Sequence, residues 1–193
     1  MQFYVISGGP GTGKTKLLGE LEKNLDYIGG IDYFILKEAA RNVAGSDPRF
    51  VGKSIKEINM SYFQPAVFEH QKRDLEIMKN KLSFDIVFSE RSFGDTLAYM
   101  KIYEIPIHRK HIGYFRNNEF SKVFILDYPK KYKQDELRQE SKEEARIIHE
   151  EIIKVYNQFE FKPIFVPLFS DIEKDSLEKR SGFILNQIGI FKN

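Results

Sequence analysis

Among 193 residues there is no cysteine, which excludes disulfide staples and thiolate chemistry and fits a reducing cytosol. A surplus of either charge is missing as well. Thirty Lys and Arg face 28 Asp and Glu, a formal +2, so no overall field draws the chain to nucleic acid or to an anionic membrane surface. No apolar run approaches the roughly 18 to 20 residues that a membrane-spanning helix needs. The chain enters a glycine-rich stretch at Gly8, which leaves no room for a secretory leader, so the expected location is cytoplasmic. Internal repeats, low-complexity tracts and linkers are absent too, and residues 1–193 read as one domain. What is present suffices for a core: 41% of the residues are hydrophobic and 14% aromatic.

The glycine-rich stretch reads Gly8, Gly9, Pro10, Gly11, Thr12, Gly13, Lys14, Thr15. It fits the phosphate-loop (Walker A) pattern G-x-x-x-x-G-K-[ST] at every fixed position. In such a loop the glycines let successive backbone N–H groups converge on phosphate oxygens. Lys14 then reaches the β and γ phosphates, and the Thr15 hydroxyl faces Mg²⁺. The context agrees: the apolar run Phe3, Tyr4, Val5, Ile6 precedes the loop, and Leu17, Leu18, Leu21 and Leu25 follow at helical spacing. A merely flexible turn would not explain a lysine and a threonine at the mouth of a helix, whose N-terminus already favours anions. ATP and Mg²⁺ are therefore the expected ligands.

Further apolar runs alternate with helical periods. Ile31 to Leu36 is expected as strand two, Phe84 to Phe88 as strand three, Lys122 to Leu126 as strand four and Pro163 to Val166 as strand five. A helix is expected after Gln64, with Pro65 in its first turn and Phe68, Leu75, Met78 and Leu82 as its stripe. A long helix carries Ala145, Ile148, Ile152, Val155 and Phe159, and Leu177 to Ile188 closes the chain. This alternation predicts an α/β protein with a five-stranded parallel sheet covered by helices on both faces. Between Ile105 and Asn118 no element is legible. His108 and His111 read as solvated loop histidines, since a catalytic zinc site would need a third ligand.

Charged residues collect where strands end, at the edge where open α/β sheets bind ligands. Strand two empties into Glu38, Ala39, Ala40, Arg41, and strand three into Glu90, Arg91, Ser92. Glu90 is a candidate metal ligand beside Thr15, Arg91 a candidate partner for the transferring phosphoryl group, and Glu38 a candidate for orienting an acceptor hydroxyl. Two plainer readings stand beside these: a solvated helix start for Glu38 and Arg41, and a structural ion pair for Glu90 and Arg91. For Asp95, Asp127 and Gln71 a structural role is at least as well supported. Residues 130–146, with Lys131, Lys133, Arg138 and Arg146, read as a helical lid that carries cations onto the phosphates, Arg138 first and Arg146 second; the plainer reading is a solvated helix pair whose charges face water.

The phosphate loop, the Glu-Ala-Ala-Arg after strand two, the Glu-Arg-Ser after strand three and Asp135-x-x-Arg138 after strand four together resemble a known group. It is the P-loop ATPase and kinase family that includes the nicotinamide riboside kinase domain of bacterial NAD regulators. The pattern is also similar to deoxyribonucleoside kinases. That second resemblance implies a catalytic base at Glu38 and a role for Glu90 and Arg91 in holding Mg²⁺ and the phosphates. Glu90 stands where the first family more often has aspartate. The expected activity is ATP-dependent phosphorylation of a small hydroxyl-bearing acceptor such as a nucleoside or nucleotide, with self-association left open. The alternative is a regulatory module in which ATP binding or hydrolysis switches a protein partner. A GTPase is disfavoured because no Asn-Lys-x-Asp signature occurs, and an oligomeric AAA+ motor because 193 residues leave no room for its second helical domain.

Overall fold

A computed structural model describes residues 1–81, 83–118, 120–129 and 140–191. Its frame is a five-stranded, all-parallel sheet in the order β2-β3-β1-β4-β5, built from β1 (Gln2–Ser7), β2 (Tyr33–Leu36), β3 (Ile86–Glu90), β4 (Lys122–Leu126) and β5 (Ile164–Val166). Around it lie α1 (Lys14–Ile28), α2 (Ala39–Ser46), α3 (Met60–Lys81), α4 (Phe93–Ile102), α5 (Arg109–Arg116), α6 (Lys142–Gln158) and α7 (Glu173–Gln187). The expected α/β architecture is thus the one observed.

Strand alternation divides the core between the two faces of the sheet. Phe3 and Val5 of β1, Val87 of β3 and Val123 and Ile125 of β4 pack with Phe68 and Leu75 of α3, Leu97 and Met100 of α4, and Ile148, Ile152 and Val155 of α6. Their neighbours Tyr4, Ile6, Phe88, Phe124 and Leu126 point the other way, onto Leu17, Leu18, Leu21 and Leu25 of α1 and Ile184 and Leu185 of α7. Continuous apolar runs, rather than alternating ones, are what a strand covered on both faces requires. Register follows from this packing: Ile6 lies opposite Glu90 on one side and Phe124 on the other, so the ends of β1, β3 and β4 share one edge.

Several element limits differ from the expectation, each for a local reason. Helix α3 starts at Met60, so Pro65 lies inside it rather than in its first turn. Asn59 nucleates the earlier start, its side chain accepting the Ser61 N–H at 2.9 Å and its carbonyl the N–H groups of Tyr62 and Phe63. Phe68, Leu75 and Met78 are buried as expected, whereas Leu82 lies outside the described residues. The stretch that resisted reading contains α5, and its second histidine is not solvated. His111 is buried, packs its ring 4.8 Å from that of Phe68, and accepts the His108 N–H on Nδ1 at 3.3 Å; His108 itself is exposed. Helix α6 begins with a capping box in which Ser141 Oγ accepts the Glu144 N–H and a Glu144 carboxylate oxygen accepts the Ser141 N–H. Among the described residues no helix is long and apolar enough to cross a membrane. Most of the expected lid, residues 130–139, lies outside the described residues.

Helices α4 and α6 touch at one unforgiving point. A Cβ on Gly94 would lie 2.5 to 2.9 Å from ring atoms of Tyr156, a fully buried side chain whose hydroxyl donates to Asp95 Oδ2 at 2.9 Å. Gly94→Ala should therefore destabilise the protein by about 1–3 kcal/mol, the usual cost of overpacking, read as a lower urea midpoint. An unchanged midpoint would show that Tyr156 yields freely.

Candidate active site

The loop leaves β1 at Ser7 and turns into α1 through Gly13, whose φ of 89° and ψ of 19° are left-handed. Only glycine adopts that conformation without strain. Gly9 is needed for a different reason: a Cβ there would stand 2.7 Å from His149 Cβ and 2.9 Å from the Ala145 carbonyl oxygen, both on α6. Within the loop, Thr12 Oγ1 donates to the Gly9 carbonyl at 2.9 Å. Lys14 Nζ donates to the carbonyls of Gly8 at 2.8 Å and Gly9 at 2.9 Å. The ammonium is buried, and burial, reinforced by the nearby Arg91 charge and opposed by Glu38, Glu90 and Asp95, lowers its pKa to about 7. An anion placed beside it would reverse that shift, so the loop is poised to gain positive charge as it takes up phosphate.

Thr15 opens to solvent at the first turn of α1, and its Oγ1 donates to Glu90 Oε1 at 2.7 Å. Strand pairing explains this contact, because Glu90 ends β3 opposite Ile6, immediately before the loop. A hydroxyl and a carboxylate side by side are hard oxygen donors, the set Mg²⁺ takes when one or two protein oxygens join phosphate oxygens and water. Thr15 and Glu90 are the residues that would hold such an ion.

Arg91 follows Glu90 in an unusual conformation, with φ of 68° and its N–H donated to the Ile6 carbonyl at 3.0 Å. The turn aims its guanidinium across the sheet edge. Nε meets Glu38 Oε1 at 2.7 Å, while one terminal nitrogen reaches Asp95 Oδ1 at 3.2 Å and the Gly8 carbonyl at 3.3 Å. Tyr99 covers the guanidinium, its ring centroid 5.5 Å away. Arg91 therefore pairs with Glu38 and Asp95, not with its neighbour Glu90 as a structural pair would have required among the described residues. Glu38 caps the start of α2 and also accepts from Arg41 Nε at 2.9 Å. Its side chain is only 15% exposed. Burial by itself would raise the carboxyl, but the Arg91 and Lys14 charges and the hydrogen bonds from Arg41 and Arg91 outweigh it and hold the pKa at about 2.

The structure thus brings together Gly8 to Thr15, Glu38, Glu90 and Arg91. It does not bring Arg146 to them: that side chain, 73% exposed on α6, pairs with Glu150 at 3.0 Å. Arg138 lies outside the described residues. Three residues support the site: Arg180 and His149 were not picked out from the sequence, and Asp95 takes the structural role expected there at least as readily as a functional one. Asp95, 1% exposed, accepts from Ser7 Oγ, the Ser92 N–H, Arg91 and Tyr156 and so ties β1, β3, α4 and α6 together behind the loop. Its signal was the capping pattern Ser92-x-x-Asp95. Arg180, 3% exposed, donates to the carbonyls of Thr12, Asp127 and Pro167. A charged residue four after Ser176 and four before Ile184, on the buried stripe of α7, was legible as an anomaly. His149, the third, accepts the Gly9 N–H on Nδ1 at 3.0 Å.

A parallel sheet in this order, with a phosphate loop after β1 and an oxygen pair at its mouth, defines a P-loop nucleotide-binding protein. The AAA domain family model matches residues 3–178, and the chain belongs to that family. No curated protein sequence matches it significantly. Among solved structures it is similar to NadR protein in complex with NR, at TM-score 0.70 and 16% identity, covering 100% of this chain and 51% of that one. The chain thus spans about half the length of that NadR chain. It is also similar to a deoxyadenosine kinase from M. mycoides, at TM-score 0.63 and 15% identity over 98% of this chain and 100% of the other. A thymidylate kinase from Ehrlichia chaffeensis gives TM-score 0.59 and 16% identity over 97% and 98%. At such identities the likeness is one of fold.

The charge on Glu38 has a measurable signature. A carboxyl held at about 2 when folded, against 4.5 for an ordinary glutamate, adds stability that is fully present above about pH 4.5 and is lost as pH falls towards 2. Between pH 4.5 and 3.5 the wild type should lose about 1 kcal/mol more unfolding free energy than Glu38→Gln. Urea titrations at the two pH values check this, and parallel losses would place Glu38 outside the Arg91 pair in solution.

Proposed function

We propose that this chain is an ATP-dependent kinase that phosphorylates a small hydroxyl-bearing acceptor of nucleoside or nucleotide type, acting as a single domain. One observation carries the reading. The Glu38 carboxylate is held ionised beside the loop by the same guanidinium that reaches the Gly8 carbonyl. An ionised carboxylate at the sheet edge beside the loop can accept a hydrogen bond from an acceptor hydroxyl and orient it towards the transferring phosphoryl group.

The division of labour follows from the geometry. Lys14 and the N–H groups of the loop and of the first turn of α1 bind the triphosphate and neutralise it. Thr15 and Glu90 would hold Mg²⁺, which, when bound, adds charge neutralisation at the β and γ phosphates. Arg91 fixes Glu38 and stands ready to meet charge on the transferring group. Glu38, whose low pKa makes it a weak base, accepts a hydrogen bond from the acceptor hydroxyl, orients it in line and receives its proton late. Late transfer suits phosphoryl transfer, because a loose transition state asks little of the base before bond formation to phosphorus is advanced. Support for the acceptor class comes from what the neighbours hold: NR, NAD and AMP-PNP in two NadR structures, and dCMP with dCDP in the deoxyadenosine kinase.

The test is ADP formation from ATP over a panel of nucleosides, nucleotides and nicotinamide riboside. At least one acceptor should raise ADP formation well above the acceptor-free rate. Glu38→Gln should then bind ATP normally and transfer about a hundredfold more slowly, the usual scale for losing a positioned base. If no acceptor raises the rate, or Glu38→Gln transfers as fast as the wild type, the kinase reading fails.

A further inference from the structure

His149 lies on α6, 140 residues from Gly9 in sequence, yet its ring and the loop are in direct contact. Nδ1 accepts the Gly9 N–H at 3.0 Å in a buried setting. A peptide N–H can only donate, so Nδ1 carries no proton and the neutral ring holds its proton on Nε2. The packing at this point leaves no slack, since a Cβ on Gly9 would collide with His149 Cβ and the Ala145 carbonyl. Tyr128, just past β4, lies against the other side, its ring centroid 5.7 Å from that of His149.

Two consequences follow for the loop. First, the Gly9 N–H is committed to α6, while its carbonyl accepts from Lys14 and Thr12. Second, one side chain sets the orientation of the first free peptide of the loop, and it does so from the helix that follows residues 130–139. We infer that His149 is a positioning residue of the nucleotide site, fixing the Gly9 peptide through an Nδ1 acceptor so that the loop is pre-formed for phosphate. The inference rests on the reading of the loop as the triphosphate site.

A titratable acceptor makes this support conditional on pH. Burial and the Lys14 charge on α1 both disfavour the imidazolium, while Asp127 after β4, Glu150 on α6 itself and Asp95 on α4 favour it, and the balance leaves the pKa below the ordinary 6.5. Above the lowered His149 pKa the hydrogen bond stands. Below it Nδ1 gains a proton, two donors face each other, and the Gly9 peptide must turn.

Two substitutions, H149N and H149L, separate acceptor from shape. The new side chains are similar in size, and the asparagine of H149N can place Oδ1 near the position of Nδ1 without titrating there. Isothermal titration with magnesium and the nonhydrolysable analogue AMP-PNP would be run on wild type, H149N and H149L at pH 7.5 and at successively lower pH. At pH 7.5, H149N should bind within about threefold of wild type and H149L about tenfold more weakly, the equivalent of one buried donor left unpaired. As pH falls through the His149 pKa the wild type should lose affinity relative to H149N, a comparison that cancels the titration of the ligand's own phosphates. Equal affinity for all three proteins, or an H149N that falls with H149L, would overturn the role. A wild type that does not bind the analogue at all would overturn it together with the triphosphate-site reading. Thermal melts of the variants identify any loss that is only unfolding, and H149N then decides.

Discussion

One buried guanidinium holds this site together. Arg91 lies just past the end of strand β3, in a left-handed conformation, and its side chain links Glu38 on the β2 side to Asp95 on α4 and to the loop carbonyl of Gly8. Taking such a charge out of water costs several kcal/mol unless it is compensated on more than one side. Two carboxylates, a carbonyl and an aromatic face supply that compensation. Removing any one of them would leave the others facing an incompletely paired charge, and the ends of three strands would lose their common anchor. The strained backbone at Arg91 fits the same account, since a non-glycine residue at φ 68° persists only where its surroundings fix it.

From this constraint the chemistry is layered outwards. Behind the loop, Asp95, Ser7 and Tyr156 form a buried set of hydrogen bonds that Arg91, itself buried, joins to the sheet edge. In front, the exposed Thr15 hydroxyl donates to the buried Glu90 carboxylate at the helix mouth. On the flanks, Arg180 ties the Thr12 carbonyl to the turns after β4 and β5, and His149 ties the Gly9 N–H to α6. A loop made of glycines has little conformational preference of its own. Here its shape comes from neighbours on four different elements.

That division explains what was legible in the sequence. The loop could be read because phosphate capture demands fixed residue types at fixed spacings, and the strands because their apolar runs must fill two cores at once. Glu38, Glu90 and Arg91 could be read because parallel strands deliver their last residues to one edge. The supporting residues could not be read in the same way. His149 and Arg180 sit within helical patterns whose apolar members dominate, and their partners are backbone groups 140 and 168 residues away. Helix α5 was missed because it is short and its stripe contains His111, a polar residue that is buried against Phe68 with its Nδ1 accepting the His108 N–H. Arg146 was misplaced for the opposite reason: charge near a sheet edge suggested phosphate, but an acid four residues on at Glu150 satisfies it at the surface.

The central claim is that the loop and the Thr15–Glu90 oxygen pair form one site for a metal–triphosphate complex. The most direct measurement is the affinity for ATP by isothermal titration, with excess Mg²⁺ and with EDTA, on the wild type and on Glu90→Gln. Mg²⁺ should strengthen binding by about tenfold or more in the wild type, equivalent to about 1.4 kcal/mol, and Glu90→Gln should lose most of that gain while still binding metal-free ATP. Equal affinities with and without Mg²⁺ in the wild type would contradict the claim.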